Sequence, residues 1–360
     1  VVMSQETFKK RAAFDVFRAV AVSMVVLGHF TSAAKDLPEI VKKVGFAIAS
    51  YGIPLFFMIS GFLLAASLMS ILKKQQHCVG RSVGVFFIKR ALRIYPAYSV
   101  SLVILTLCHG VGTLDLWVHI LNIHNLFSGF NRSINEVYWT LAVEFQWYFV
   151  APWCILFFVK NRTRVVLFVV LISMVLSFLI RWSIVYDYMS QTIRLSDLVR
   201  LGQDQLYIHL FNFLMGVALY KLRAIQVKIP AVGVFLLLLL LFWMGYFESS
   251  LTADILHYRG QAVLYKVLLS YFSIIILAVM VACFLNLEIT PRCCRIISFI
   301  SMISYSLYIY HLPILNFIGS YNIAWNWFFP LYLFSSITIA FISYYAIEKP
   351  FLRYSAALRS

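Results

Sequence analysis

Two ionisable residues, Arg18 and His29, lie within one apolar segment of the sequence, residues 14–31. Their spacing is close to three helical turns, so on a helix both side chains face the same way, about 16 Å apart along the axis. An ionisable side chain inside a membrane helix costs about 2.5–3.5 kcal/mol and by default indicates a functional site. Arg18 could instead snorkel to the interface or pair with Asp15, and His29 could be a packing residue. Their shared face favours a polar path through a membrane.

A carboxylate lies at a matching depth in a later apolar segment. Glu144 comes about seven residues after the outer end of segment 137–159, which is roughly 10 Å along a helix. A carboxylate beside an imidazole fixes the tautomer of the ring and raises its basicity. The sequence therefore predicts that Glu144 orients His29, with a structural buried pair as the alternative.

Three basic residues, Lys89, Arg90 and Arg93, precede the third apolar segment. On a helix Arg90 and Arg93 share a face, and two guanidinium groups can grip one phosphate together. Simple anchoring at the cytoplasmic end of a span explains the same charges. The pattern alone does not decide between a phosphate site and an anchor.

Tyr305, Tyr308 and His311 recur near the period of a helix in a late apolar segment. Such residues often form only an interfacial belt, and the alternative is the wall of a substrate site. In the second apolar segment, Gly61 is predicted to serve helix packing. Pro54 either kinks that helix or marks a broken helix beside a cavity.

The composition is that of a polytopic membrane protein. Hydrophobic residues make up 62% of the 360 residues and charged residues 12%, whereas soluble domains carry about 25% charged residues. The net charge of +16 would suggest nucleic acid for a soluble protein, but the positive-inside rule explains it better here. No nucleic-acid partner is expected. The six cysteines resemble neither a disulfide framework nor a metal site, and no metal is expected.

The hydropathy predicts an all-α bundle of about ten transmembrane helices. Twenty basic residues fall in the predicted inner segments and seven in the outer ones, which predicts that both termini are cytoplasmic. The first span lacks a cleavage site and is expected to be retained. Residues 1–360 are expected to form a single transmembrane domain with no separate soluble domain. The predicted spans lie near 14–34, 45–70, 94–112, 137–159, 165–186, 204–221, 230–247, 261–286, 296–318 and 325–348.

Six segments in this order resemble the acyltransferase-3 family of integral membrane acyltransferases, over residues 14–353. The opening pattern of the family, LDxLRGxAxxxVxxxH, appears as FDVFRAVAVSMVVLGH. Ala19 departs from the usual glycine, and Phe145 replaces a frequent second acid after Glu144. The other segments are GIPLFFMISGF (52–62), KRALRIYPAY (89–98), WTLAVEFQWY (139–148), SYSLYIYH (304–311) and EKP (348–350).

The resemblance implies a bacterial inner-membrane O-acyltransferase that moves acetyl from cytoplasmic acetyl-CoA to a surface polysaccharide, lipopolysaccharide O-antigen being the leading acceptor. An acceptor on the cytoplasmic face is an alternative. It further implies three groups of site residues, namely His29, Glu144 and Arg18 for catalysis, Lys89, Arg90 and Arg93 for acetyl-CoA, and Trp139, Tyr305, Tyr308 and His311 for the acceptor. The partners would be acetyl-CoA, a polysaccharide or lipid-linked glycan, and membrane lipids. The rival function is a transporter of a sugar or lipid-linked glycan, which predicts inverted repeats that the hydropathy does not show.

Overall fold

The computed structural model of the chain describes residues 5–75, 78–225, 227, 229–254, 261–285, 291–321 and 323–358. This part of the chain is helical and contains no β-strand, so the all-α prediction is confirmed for it. A 3₁₀ turn lies at His124–Leu126 and a π-helical turn at Tyr344–Glu348. The α-helices are α1 (Gln5–Ala33), α2 (Glu39–Ala49), α3 (Gly52–Lys74), α4 (Val79–His109), α5 (Thr113–Ile120), α6 (Tyr138–Lys160), α7 (Thr163–Met189), α8 (Leu195–Gly202), α9 (Leu206–Leu222), α10 (Ala231–Asp254), α11 (Gln261–Phe284), α12 (Pro291–Gly319), α13 (Trp325–Ser343) and α14 (Lys349–Ala357).

Nine helical segments of the described chain are long and apolar enough to cross a membrane, so the protein is a multi-pass membrane protein. Ten spans were predicted, and the difference is the span near 204–221. Helix α9 has 17 residues there, fewer than the roughly 20 that a straight span requires. It begins only after Asp204 and Gln205 because loop residues hold both of them: Asn125 donates to the Asp204 carbonyl at 2.8 Å, and Gln205 donates to the Asn125 carbonyl.

The predicted span 45–70 is interrupted, since α2 ends at Ala49 and α3 begins at Gly52. The Ser50 hydroxyl at the break donates to the Ala47 carbonyl at 3.0 Å. Pro54 lies in the first turn of α3, where its missing N–H would have had no partner within the helix. Pro54 therefore belongs to a helix start beside a cavity and does not kink a continuous helix.

Two glycines allow α3 and α9 to pack with their backbones in close contact. A Cβ atom at Gly61 would collide with the Phe213 carbonyl, and one at Gly216 would collide with the Met58 carbonyl. Small residues at such crossings are typical of membrane bundles. The packing role predicted for Gly61 is confirmed, and the contact fixes α9 against α3 beside α6 and α7.

Helices α1, α4 and α12 carry most of the candidate site residues singled out in the sequence. Helix α1 packs against α2, α3 and α12, and α12 packs against α13. The third span was predicted from residue 94, but α4 begins at Val79. The basic residues before the predicted span are therefore helical, and Arg90 and Arg93 share a face of α4 as their spacing predicts.

Candidate active site

Two imidazoles on neighbouring helices form a hydrogen-bonded pair. Nδ1 of His29 on α1 and Nε2 of His311 on α12 are 3.0 Å apart. Nδ1 of His311 faces the carbonyl oxygens of Tyr308 at 2.8 Å and Leu307 at 3.1 Å. Carbonyls only accept hydrogen bonds, so Nδ1 of His311 carries the proton and Nε2 is the acceptor in the neutral ring. His29 must then donate through Nδ1, which leaves the lone pair of its Nε2 available to act as a base.

Glu144 does not pair with His29. Its carboxylate accepts a hydrogen bond from the Ser60 hydroxyl of α3 at 2.9 Å, and both residues are buried. The prediction that Glu144 orients His29 is therefore wrong, because His311 is the hydrogen-bond partner of that ring. The two residues differ in depth and in partner. Glu144 shares a small cavity with Arg18 and faces Ser60 of α3, whereas His29 is three helical turns from Arg18 and faces α12.

A basic cavity of about 630 Å³ lies at one end of α3, between α3, α4 and α14. Its wall contains Lys89, Arg90 and Arg93, and it also contains Arg18 and Lys74. The structure thus brings all three residues predicted to bind acetyl-CoA to one concave surface. Several cations on a concave surface attract a polyanionic ligand.

Arg18 also lines two smaller cavities that continue from the basic cavity along α1. The first, of about 40 Å³, contains Glu144. The second has a volume of about 20 Å³ and is the narrowest of the three, so we call it the waist, and we call the three cavities together the path. The walls of the waist include Val22, Val25, Phe56, Leu141 and Tyr308. His29 and His311 lie one helical turn beyond Val25 and Tyr308. Helix α1 therefore connects the basic cavity to the imidazole pair.

Tyr305 and Tyr308 line the waist, and both hydroxyls are hydrogen-bonded within the protein. Tyr305 donates to the Ile94 carbonyl at 2.8 Å. The Tyr308 hydroxyl lies 2.6 Å from the Thr140 hydroxyl and 3.2 Å from the Val137 carbonyl. These bonds join α12 to α4 and α6 and define the wall of the path. Their assignment to the acceptor stays a prediction.

An ion pair that the sequence did not reveal lies beside this path. Arg132 binds Asp204 through two hydrogen bonds of 2.8 and 2.9 Å, and Asn131 donates to the same carboxylate at 2.5 Å. Burial would lower the pKa of Arg132, but the hydrogen bonds and charge of Asp204 outweigh it and raise that pKa. Arg132 is close enough to His29 and Tyr308 for its positive charge to act on both side chains. The residues around Arg132 in the sequence do not indicate the pair, because a single arginine in a predicted loop is expected to be an exposed charge.

A second wide cavity, here the distal cavity, lies at the opposite end of α3 and has a volume of about 460 Å³. Trp139, predicted for the acceptor, is in its wall. The Arg132 guanidinium lies 5.8 Å from the Trp139 ring centre, and His209 stacks on the same indole with ring centres 5.5 Å apart. Ile53 lines both the distal cavity and the waist, so the two are adjacent.

The carboxylate of the closing EKP segment, Glu348, has a structural contact. It is buried and accepts a hydrogen bond from Ser306 of α12, whose hydroxyl also lies 2.8 Å from that of Ser343. These bonds fix the π-helical turn against α12, the helix that carries His311.

Comparison with known proteins identifies the architecture. The family model of an acyltransferase domain matches residues 11–345. Two curated proteins of Staphylococcus aureus, from strains COL and MRSA252, are each named a putative O-acetyltransferase and are 26% identical over 386 aligned positions, which cover 94% of this chain. The chain spans 56% of the length of these relatives. No solved structure matches the chain at a significant level. With the family model covering nearly all of its helices, the chain belongs to the acyltransferase-3 family.

Proposed function

We propose that the chain is a bacterial inner-membrane O-acetyltransferase that moves an acetyl group from cytoplasmic acetyl-CoA to a hydroxyl of a surface polysaccharide, with lipopolysaccharide O-antigen as the acceptor. The observation that carries this proposal is the imidazole pair, with an unprotonated Nε2 on His29. His29 lies on the same face of α1 as Arg18, which lines both the basic cavity and the waist. Membership of an acyltransferase family favours acyl transfer over the rival transporter function. In this proposal residues 1–360 act as one transmembrane domain.

Deleting the gene tests this function directly. The envelope polysaccharide of the deletion strain is expected to lack O-acetyl signals in its NMR spectrum, and a plasmid copy is expected to restore them. An unchanged spectrum in every envelope glycan would contradict the proposed acceptor class. Loss of glycan export with O-acetylation intact would instead support the transporter.

The proposed donor site is the basic cavity. Coenzyme A carries a diphosphate and a separate phosphate, and guanidinium groups bind phosphate oxygens in pairs. Arg90 is oriented by a 3.0 Å hydrogen bond from Nη2 to the Ser67 hydroxyl, and Arg93 lies one turn further along the same wall. Lys89 and Lys74 add positive charge at the rim. The thin pantetheine arm would then extend past Arg18 toward the waist.

Replacing Arg90 or Arg93 with lysine is expected to weaken acetyl-CoA binding about tenfold. Lysine keeps the charge but loses the paired guanidinium contacts, and a charge-assisted hydrogen bond is worth about 1.5–3 kcal/mol. Calorimetric titration of the purified protein measures the effect. Arg81→Lys is the matched control, because Arg81 lies on the exposed part of the same helix. Wild-type affinity in a protein with both Arg90 and Arg93 changed to alanine would contradict the proposed donor site.

The proposed chemistry uses the unprotonated Nε2 of His29. This nitrogen takes the proton of the acceptor hydroxyl as the oxygen attacks the thioester carbonyl. The carbon–sulfur bond then breaks, and the departing coenzyme A thiolate takes up the proton, which leaves the imidazole neutral again. The same nitrogen could carry the acetyl group as an acyl-histidine, so both routes require His29. Arg18 on the wall of the waist and Arg132 beside Trp139 are suited to stabilise negative charge on the reacting oxygen. Glu144 is assigned to the donor side of the path, where it shares a cavity with Arg18.

The proposed orientation has both termini in the cytoplasm, as the distribution of basic residues predicts. Both termini share a side only if the number of crossings is even, so the proposal requires that α9, with 17 residues at the lower limit for a span, also crosses the membrane. The basic cavity then faces the cytoplasm, where acetyl-CoA is made, and the distal cavity faces the outside, where surface glycans are modified. Reporter fusions after Asp115 and Arg353 are expected to report outside and inside, respectively. An outside signal at Arg353 would reverse this assignment.

A further inference from the structure

The distal cavity has the size and position of a second substrate site. Its volume of about 460 Å³ falls within the roughly 300–1,000 Å³ of small-molecule pockets. Residues of α3, α6, α7, α9, α10 and α11 form its wall. It is separated from the basic cavity by most of the length of α3, so the two cavities serve opposite ends of the bundle.

An unsatisfied hydrogen-bond acceptor is buried in its wall. Nε2 of His209 lies 2.6 Å from the Gln203 carbonyl and must carry the proton, so Nδ1 accepts from the Asn212 amide at 3.3 Å. This bond fixes which way the amide of Asn212 is turned. Its Oδ1 has no hydrogen-bond partner, although Asn212 is 1% exposed and lines the cavity. A buried acceptor in this state favours a ligand that donates a hydrogen bond.

The remaining polar groups of the wall have mixed character. Arg181 is held by the Gly202 carbonyl at 2.9 Å and the Ser270 hydroxyl at 3.3 Å, and it brings N–H donors to the cavity. Glu248 brings carboxylate oxygens to the same wall, and Trp139 brings an aromatic surface. The hydroxyl groups of a sugar both donate and accept, so one ring can satisfy an amide oxygen, a carboxylate and a guanidinium together. A lipid chain would leave the Asn212 oxygen without a partner and would bring apolar groups against the two charged side chains.

The cavity is also adjacent to the waist. Ile53 lines both the distal cavity and the waist, and Trp139 in the cavity precedes Thr140 in the waist. A sugar bound in the distal cavity would therefore lie beside Arg132, which contacts Trp139. The waist is too narrow for a sugar ring, so the acceptor would have to approach from this side.

We propose that the distal cavity binds a neutral pyranose unit of the acceptor glycan, with a ring hydroxyl donating to Oδ1 of Asn212 and with Arg181 and Glu248 binding neighbouring hydroxyls. This inference rests on the proposed function, because it names the site of the acceptor. It assigns recognition of the acceptor to α7, α9 and α10, away from the imidazole pair.

The first test uses Asn212→Leu, which removes the acceptor oxygen at similar side-chain size. The probe is envelope polysaccharide of the source strain, de-O-acetylated by mild alkali, with labelled acetyl-CoA as donor. The KM for the polysaccharide is expected to rise about threefold to tenfold while acetyl-CoA affinity stays unchanged. Asn316→Leu on the exposed side of α12 is the matched control, with no expected change in KM. An unchanged KM in Asn212→Leu would overturn the proposal.

The second test does not depend on turnover or on the folding of the Asn212 variant. Ser50→Cys, in a protein whose six native cysteines are replaced, puts a thiol on the cavity wall. A charged thiol reagent is expected to label it, and the same polysaccharide is expected to slow the labelling at least fivefold. Labelling that the polysaccharide does not slow, or that only added lipid slows, would overturn the proposal. If wild-type protein neither binds acetyl-CoA nor transfers acetyl, the proposed function fails; if it transfers and the cavity tests are negative, only this inference fails.

Discussion

The His29→Ala protein is expected to lose acetyl transfer by a factor of about 10² to 10⁴, the range for removal of a general acid–base group. The hydrogen bond that Nδ1 of His29 donates to Nε2 of His311 fixes the tautomer of His29 and leaves its Nε2 unprotonated, and no other described histidine has this arrangement next to the waist. Acetyl-CoA affinity is expected to remain at the wild-type level, because the basic cavity lies at the other end of α3. Glycan O-acetyl content by NMR and transfer of labelled acetyl by purified protein measure the loss.

The control for this experiment is His109→Ala, since His109 is exposed in the last turn of α4 and lines none of the cavities described above. It is expected to acetylate normally. His311→Ala is expected to give an intermediate loss, because His29 then keeps its nitrogen but loses the group that orients it. Substantial acetylation by a stable His29→Ala protein would remove this residue from the mechanism.

Replacing Asp204 with alanine is expected to have the second largest effect, a loss of about 3 kcal/mol in the free energy of unfolding. Breaking a buried ion pair typically costs 3–5 kcal/mol, and the lower end applies because Arg132 is 33% exposed. The change also removes the acceptor of the Asn131 amide. Thermal unfolding in detergent or nanodiscs measures the loss. The matched control, Asp197→Ala, breaks a pair with Arg200 whose carboxylate is 25% exposed, whereas that of Asp204 is fully buried, and it is expected to cost about 0–1 kcal/mol.

A double variant separates the structural role of this pair from its chemical role. Changing Arg132 to methionine and Asp204 to leucine replaces both charges with apolar groups, which is often neutral for stability. The double variant is expected to unfold near the wild-type temperature and still transfer acetyl poorly, because the charge beside His29 is gone. Wild-type activity in this variant would show that Arg132 has no part in the chemistry.

The sequence predicted the faces of single helices better than the positions of residues on neighbouring helices. Periodicity put Arg18 and His29 on one face of α1, and the structure bears this out. Counting residues from the outer end of a span put Glu144 near the depth of His29, but Glu144 shares a cavity with Arg18, three helical turns from His29. Helix α6 is apolar nearly all round, so its sequence carries little information on which side presents Glu144 to which partner. The pairing of His29 with His311 depends on the contact between α1 and α12, which lie far apart in the chain.

The interaction of Arg132 with Asp204 was missed for a related reason. Both residues are in connecting segments and are separated by 72 positions. Charge counting treated Arg132 as one of several outer-loop cations. Only the folded structure shows that the Arg132 guanidinium points into the protein and that the Asp204 carboxylate neutralises its charge. The shortness of α9 has the same origin, since the residues before it are held by this loop network and are not available to extend the helix.

The waist has a consequence for the membrane itself. A protein that opens a wide polar cavity toward each side of a membrane could let ions and protons leak between the two compartments. At about 20 Å³, the waist has room for roughly one water molecule. Valine, leucine and phenylalanine side chains surround it, and the positive charge of Arg18 lies on its wall. In the proposed function, this constriction would limit the leak of ions and protons while the thioester and the sugar approach it from opposite sides.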